Sequence, residues 1–167
     1  MRIHTLQRRQ VLDGTPAEVF PFFADATNLE AITPPLLRFR VITPAPIEMA
    51  VGTLIEYRLR IHGLPIRWQT LIQRWDADAR TPSFVDTQLR GPYALWHHTH
   101  TFEPVGDDRT EMTDTVRYAI GFGPLGDLAH TLFVRRDVEA IFEHRARVTP
   151  ALVAADIARR AAVPASA

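Results

Sequence analysis

The sequence predicts an α+β domain in which a bent antiparallel sheet closes around one long C-terminal helix. Two observations carry that reading. Short alternating segments follow one another between residues 39 and 120, separated by turns rich in Gly, Pro and Asp, which is the pattern of an antiparallel meander. An amphipathic run then extends over about 127–147. It is the one long element left to cover the concave face of such a sheet, and a single helix seldom fills that concavity, so a cavity is expected beneath it.

The elements follow in order. Residues 2–12 read as a strand with imperfect alternation. Asp13-Gly14-Thr15-Pro16 turns into a short helix with Thr15 as N-cap, Pro16 at the first position and Glu18 three residues past the cap. Asp25 to Ile32 reads as a second short helix, stopped by Thr33-Pro34-Pro35. Phe39 to Ile42 is a short strand. In 52–61, Ile55, Tyr57, Leu59 and Ile61 share one face and Glu56, Arg58 and Arg60 the other. His62-Gly63-Leu64-Pro65 turns the chain into 66–75, where Trp68, Thr70 and Ile72 share a face. Strands at 84–90, 95–102 and 110–120 complete a sheet of about seven. Gly121 to Gly126 reads as a loop into the long helix, whose apolar positions include Leu128, Leu132, Val134, Val138, Ile141 and Phe142. Pro150 is expected to interrupt the helix. That makes 1–147 the domain and 148–167 an alanine-rich tail, either a short helix around Leu152 to Arg160 or a frayed end.

Composition excludes several functions. The 167 residues suit one domain. Formal net charge is zero, which gives no electrostatic case for nucleic acid or an anionic membrane. Cysteine and lysine are both absent, so thiolate metal sites, cysteine nucleophiles, Schiff-base chemistry and the P-loop lysine are unavailable. The two serines, Ser83 and Ser166, lie outside any G-x-S-x-G turn. No signal peptide and no membrane span is read, and a cytoplasmic location is the default expectation.

The strongest local feature is Trp96-His97-His98-Thr99-His100-Thr101-Phe102. On a strand, Trp96, His98, His100 and Phe102 share one face, and two aromatics flanking two histidines argue that this face is internal. The next strand offers Met112, Asp114, Val116 and Tyr118 on one parity. If both faces are internal, Asp114 comes within reach of His98 or His100, as an acid–base pair, a polar anchor for a ligand, or simple structural hydrogen bonding. His-x-His is also a metal-ligand spacing, but the remainder of a cupin-type site is missing, so no metal and no cofactor is expected. Gly121-x-Gly123-x-x-Gly126 matches a dinucleotide fingerprint only as a string, because no βαβ unit surrounds it. Parity does not decide whether Asp86 and Gln88 face the interior.

Taken together, Asn28-Leu29-Glu30, Thr33-Pro34-Pro35, Phe39-Arg40-Val41, Gly63-Leu64-Pro65-x-x-Trp68, Phe84-Val85-Asp86, Gly91-Pro92-Tyr93-x-x-Trp96-x-His98-x-His100-x-Phe102 and Met112-Thr113-Asp114 resemble a bacterial branch of the SRPBCC (START/polyketide cyclase-like) ligand-binding superfamily. The resemblance covers about 2–147. It implies the helix-grip fold and a deep hydrophobic cavity between sheet and helix. It carries over no catalytic set, because fold does not fix function.

Two functions head the field. One is a carrier or sensor of a small hydrophobic molecule of the lipid, polyketide or aromatic class. Tyr57, Leu59, Trp68, Trp96, Phe102 and Met112 would wall its site together with Val116, Leu132, Val138 and Phe142, and His98, His100, Asp114 and Tyr118 would anchor the ligand. The other is a cyclase, dehydratase or hydrolase with His98, His100 and Asp114 as acid–base groups. A partner-binding domain using the 121–126 segment is a third.

Overall fold

The computed structural model describes residues 2–121 and 123–162. Strand β1 (His4–Asp13) leads into helix α1 (Pro16–Ala24), two 3₁₀ turns (Ala26–Glu30 and Pro35–Leu37) and the short strand β2 (Arg40–Val41). Strands β3 (Leu54–Ile61), β4 (Leu64–Asp76), β5 (Ser83–Arg90), β6 (Leu95–Val105) and β7 (Arg109–Ala119) follow. The chain then enters α2 (Gly123–Ala129), a π turn (His130–Val134) and α3 (Arg135–Ala161), which succeed one another directly. All strands pair antiparallel in one seven-stranded sheet of order β1-β7-β6-β5-β4-β3-β2. The expected curved sheet and long C-terminal helix are both present.

Local chemistry explains most of the elements. The Glu18 carboxylate accepts from the Thr15 N–H and hydroxyl, each at 2.8 Å, and closes the start of α1. His62 (φ 49°) and Gly63 (φ 82°) form the two-residue turn between β3 and β4, a conformation that costs glycine nothing. Register shifts at Gln69/Thr70 and Ile72/Arg74 break the β4–β5 ladder, and such irregularities bend a sheet.

The second short helix, expected over Asp25 to Ile32, is present as a 3₁₀ helix at Ala26–Glu30, and a further 3₁₀ turn follows at Pro35–Leu37. At the first of these, Asp25 accepts from the Thr27 N–H and hydroxyl at 2.9 and 2.6 Å, and such side-chain bonds compete with an α-helical start. Three expectations need correction. The loop expected at 121–126 is largely helical from Gly123 onward, with Phe122 outside the described residues. A Cβ on Gly126 would sit 1.8 Å from the Gly121 carbonyl oxygen, so that close approach needs glycine. Pro150 does not stop the helix; α3 runs through it to Ala161. Thr149 and Val153 are buried, and Val153 packs with Leu12, Phe22 and Phe102. This packing holds the helix across the proline, and tertiary contacts commonly override such a local penalty. Finally, Leu132 is 54% exposed. It lies in the π turn, which shifts helical register, and does not join Val138 and Phe142 on the buried face.

Among the described residues, no helix is long and apolar enough to cross a membrane.

Candidate functional site

Sheet and helix enclose a cavity of about 720 Å³, inside the range of roughly 300–1,000 Å³ usual for small-molecule sites. Alternation along β3 turns Ile55, Tyr57 and Leu59 toward it, and alternation along β4 does the same for Trp68, Thr70 and Ile72. Trp96, His98 and His100 face it from β6 and Phe84 and Asp86 from β5. Val134, Ile141 and Arg145 approach from the helix, while Phe22, Leu29, Ile32 and Phe39 close the end beneath the 3₁₀ turns. At the β3–β4 turn, His62 Nε2 is 2.7 Å from Asp137 Oδ2 on α3, and both residues line the cavity.

The sequence-derived residues take different places. Tyr57, Leu59, Trp68, Trp96, His98 and His100 lie on the cavity wall. Phe102 and Met112 belong to a packed cluster with Phe20 and Leu12. Val116, Val138 and Phe142 pack with Trp96 and Tyr118. These five are core rather than wall, and exposed Leu132 is neither. Tyr118 reaches away from the cavity, its hydroxyl 3.0 Å from His130 Nε2 on the π turn. Gln88 caps the turn after β5, donating to the Tyr93 carbonyl at 2.7 Å.

The polar side chains converge on one cluster. Asp86 pairs with His98 across β5 and β6, and His100 pairs with Asp114 across β6 and β7. His98 Nε2 lies 3.0 Å from Asp114 Oδ1, and His100 Nε2 lies 3.0 Å from Asp86 Oδ2. The other nitrogens also face carboxylates: His100 Nδ1 is 2.8 Å from Asp114 Oδ1 and His98 Nδ1 is 3.5 Å from Asp86 Oδ2. His100 Nδ1 is off the line that a hydrogen bond requires and has no bonded partner. The two rings stand 3.7 Å apart. Asp114 sits behind them, and Asp86 opens toward the cavity.

The arrangement splits the imidazoles' proton affinities. Burial pushes both down. For His100, Asp114 and Asp86 outweigh burial and hold its pKa above the ordinary histidine value. For His98, burial and the neighbouring His100 charge prevail, and its pKa falls. Burial would raise both carboxyls, but the imidazoles hold Asp114 far below, and Asp86 below, the usual range. Arg145 adds a favourable charge to Asp86. Burial first, then the charge of Asp86, raises the Tyr57 phenol.

Sequence reasoning misses two contributors. Arg145 lies among solvent-facing arginines in the string, and only the helix's placement brings it to the cluster. Parity leaves Asp86 undecided; its pairing opposite His98 determines its direction.

The family model described as "Polyketide cyclase / dehydrase and lipid transport" matches residues 4–151. The curated proteins contain no match to this chain. Among solved structures, the ZhuI aromatase/cyclase from Streptomyces sp. R1128 is 15% identical with a TM-score of 0.67, covering 99% of this chain and 100% of that one. A protein from Thermus thermophilus is 14% identical with a TM-score of 0.66, covering 95% and 100%. A norcoclaurine synthase point mutant from Thalictrum flavum, solved with a transition-state analogue, is 12% identical with a TM-score of 0.65, covering 91% and 94%. At these identities the structures establish a shared fold, the helix-grip arrangement of curled sheet and long helix. The match over most of its length places this chain in the polyketide cyclase / dehydrase and lipid transport family of the SRPBCC superfamily.

Proposed function

We propose that this protein binds a small, largely apolar molecule in the cavity, as a carrier or sensor, and orients it by a polar group set against His98, His100 and Asp86. One observation carries the reading: a space of about 720 Å³ walled by aliphatic and aromatic side chains, with a buried His–Asp cluster on one wall. Trp68, Tyr93 and Trp96 are mutually in ring contact at 4.8–5.5 Å, a surface suited to a flat ring system. The aromatase/cyclase and norcoclaurine synthase folds support that ligand class. Burial supplies affinity at roughly 25 cal/mol per Å² before ordering costs.

The test is saturable binding of an anilinonaphthalene sulfonate probe. Ile141 faces the cavity from α3, so Ile141→Trp projects an indole into the space without opening the core. A loss of at least about 100-fold in affinity, worth about 2.7 kcal/mol, is expected. Unchanged probe binding by the folded variant would refute the proposal.

A second reading, an acid–base enzyme of the cyclase, dehydratase or hydrolase type, has a specific observation in its favour. Two adjacent imidazoles are pushed in opposite directions, one toward holding a proton and one toward lacking it, and such separation equips a site with both an acid and a base. A His100→Gln variant that binds the probe normally but has no turnover of a cyclisable substrate would support this reading; equal turnover would eliminate it.

A further inference from the structure

We propose that Asp86, His98 and His100 form a binding site for one divalent transition-metal ion, with Asp114 as the outer carboxylate that orients both imidazoles. The site departs from the sequence expectation of no metal, because its third ligand comes from a neighbouring strand and not from the His-x-His segment.

Geometry is the first support. One ligand atom from each of the three residues lies within 4.8 Å of the other two. Asp86 Oδ2 is 3.0 Å from His100 Nε2 and 3.5 Å from His98 Nδ1. An ion with bonds of about 2.1 Å holds adjacent ligand atoms roughly 3.0 Å apart at octahedral angles and roughly 3.4 Å apart at tetrahedral angles. The two separations from Asp86 fall close to those values, and the third pair lies within 4.8 Å. All three residues line the cavity, so open coordination positions would face a bound molecule.

The second support lies behind the ligands. His98 Nε2 and His100 Nδ1, the nitrogens turned away from Asp86, both approach the same oxygen of Asp114, at 3.0 and 2.8 Å. A carboxylate on the far nitrogen is the usual partner of a metal-bound histidine, since it fixes the tautomer and strengthens the donor. Here one carboxylate serves two rings, directing both free lone pairs toward Asp86. His100 Nδ1 is buried without a well-directed hydrogen bond. A small movement of the ring on metal binding would align it with Asp114.

Donor chemistry sets the class of ion. Two imidazoles and one carboxylate suit zinc, ferrous iron or cobalt, and not magnesium or calcium, which prefer oxygen. Charge indicates what fills the open position. With neutral imidazoles, Asp86, Asp114 and Arg145 leave one net negative charge, and a dication reverses it to one net positive. An oxyanion, as hydroxide or as a ligand's carboxylate or enolate, would restore neutrality.

The experiment uses the full chain, stripped with chelator and free of organic ligand, so its outcome is independent of the carrier reading. Titration with cobalt(II) near neutral pH, followed by visible ligand-field absorption, should saturate at one ion per chain. Asp86→Asn, close to isosteric, should weaken binding at least about 100-fold, and Asp114→Asn about 10- to 100-fold. A His144→Ala variant, which removes a histidine outside the cluster and the cavity, should bind as the unaltered chain does. X-ray absorption of the zinc-loaded unaltered chain, which needs no variant, should show two imidazoles bound to the ion. Absence of saturable binding, cobalt spectra unchanged in folded Asp86→Asn, or a zinc ion without imidazole ligands would each overturn the proposal.

Discussion

One strand passes through two different interiors. Along β6, Trp96, His98, His100 and Phe102 all face inward and all are at most 9% exposed. At the Phe102 end the concavity is solid. Phe20 and Phe23 meet Phe102 at ring distances of 5.3 and 5.0 Å, and Met112, Leu12 and Val153 complete the packing. At the Trp96–His100 end the same face borders the cavity. The difference lies in what arrives from the opposite side. Helix α1 brings phenylalanines and the last turns of α3 bring Val153 to one end, whereas the π turn presents Val134, and the first turns of α3 present Ala140, Ile141 and Arg145, to the other. The hollow lies where these residues face the sheet, while the sheet supplies the same alternation to both ends.

The largest expected effect comes from removing the element that seals the solid end. A chain ending at Val148 loses Thr149 and Val153, both buried, and the partial cover of Leu152 and Ile157. Full burial of a valine-sized side chain is worth about 1.5–3 kcal/mol, so a loss of more than about 4 kcal/mol is expected across these positions. Retention of the full-length denaturation midpoint would show that the solid end does not depend on α3 beyond residue 148.

Next is a paired substitution on the two kinds of wall. Phe102→Ala should cost about 3–5 kcal/mol in urea unfolding, since its neighbours surround it fully. Leu59→Ala should cost only about 1–2 kcal/mol, because a side chain facing empty space forfeits fewer contacts. Equal costs at the two sites would dissolve the distinction between packed and hollow ends.

A gain is expected at Pro150. It is exposed within α3, and proline interior to a helix is disfavoured by up to about 3 kcal/mol relative to alanine. Pro150→Ala should therefore raise stability by roughly 1–3 kcal/mol in thermal or chemical unfolding. A decrease would mean that the proline's shape is part of the docking.

The smallest effect concerns Asp156, which accepts from Arg160 Nε at 2.8 Å and also pairs with Arg159. Burial would raise its carboxyl, but the two arginines outweigh burial and lower its pKa. A depressed folded pKa gives stability that is present above the unfolded value of about 3.9 and is lost as pH falls through the folded value. Asp156→Asn should cost less than about 1 kcal/mol near pH 7, and the gap from the unaltered chain should close below about pH 4. A gap that persists in acid would assign the effect to packing instead.

Alternation alone places Trp96, His98, His100 and Phe102 on one face, and Met112, Asp114, Val116 and Tyr118 on its neighbour, because successive strand side chains must oppose one another. Turn chemistry sets the strand limits to within a few residues, and Thr15 with Glu18 marks the start of α1. These are local constraints, legible in the unfolded string. Which inward residues touch open space emerges only in three dimensions. Phe102 and Val138 obey the same periodicity as Trp96 and Ile141, yet the first pair is packed and the second pair borders the cavity. Asp86 and Arg145 join the cluster through strand register and helix placement, quantities that relate residues far apart in the chain. The π turn that directs Leu132 outward and the packing that carries α3 past Pro150 likewise arise from contacts between elements, on which local propensity has only a weak hold.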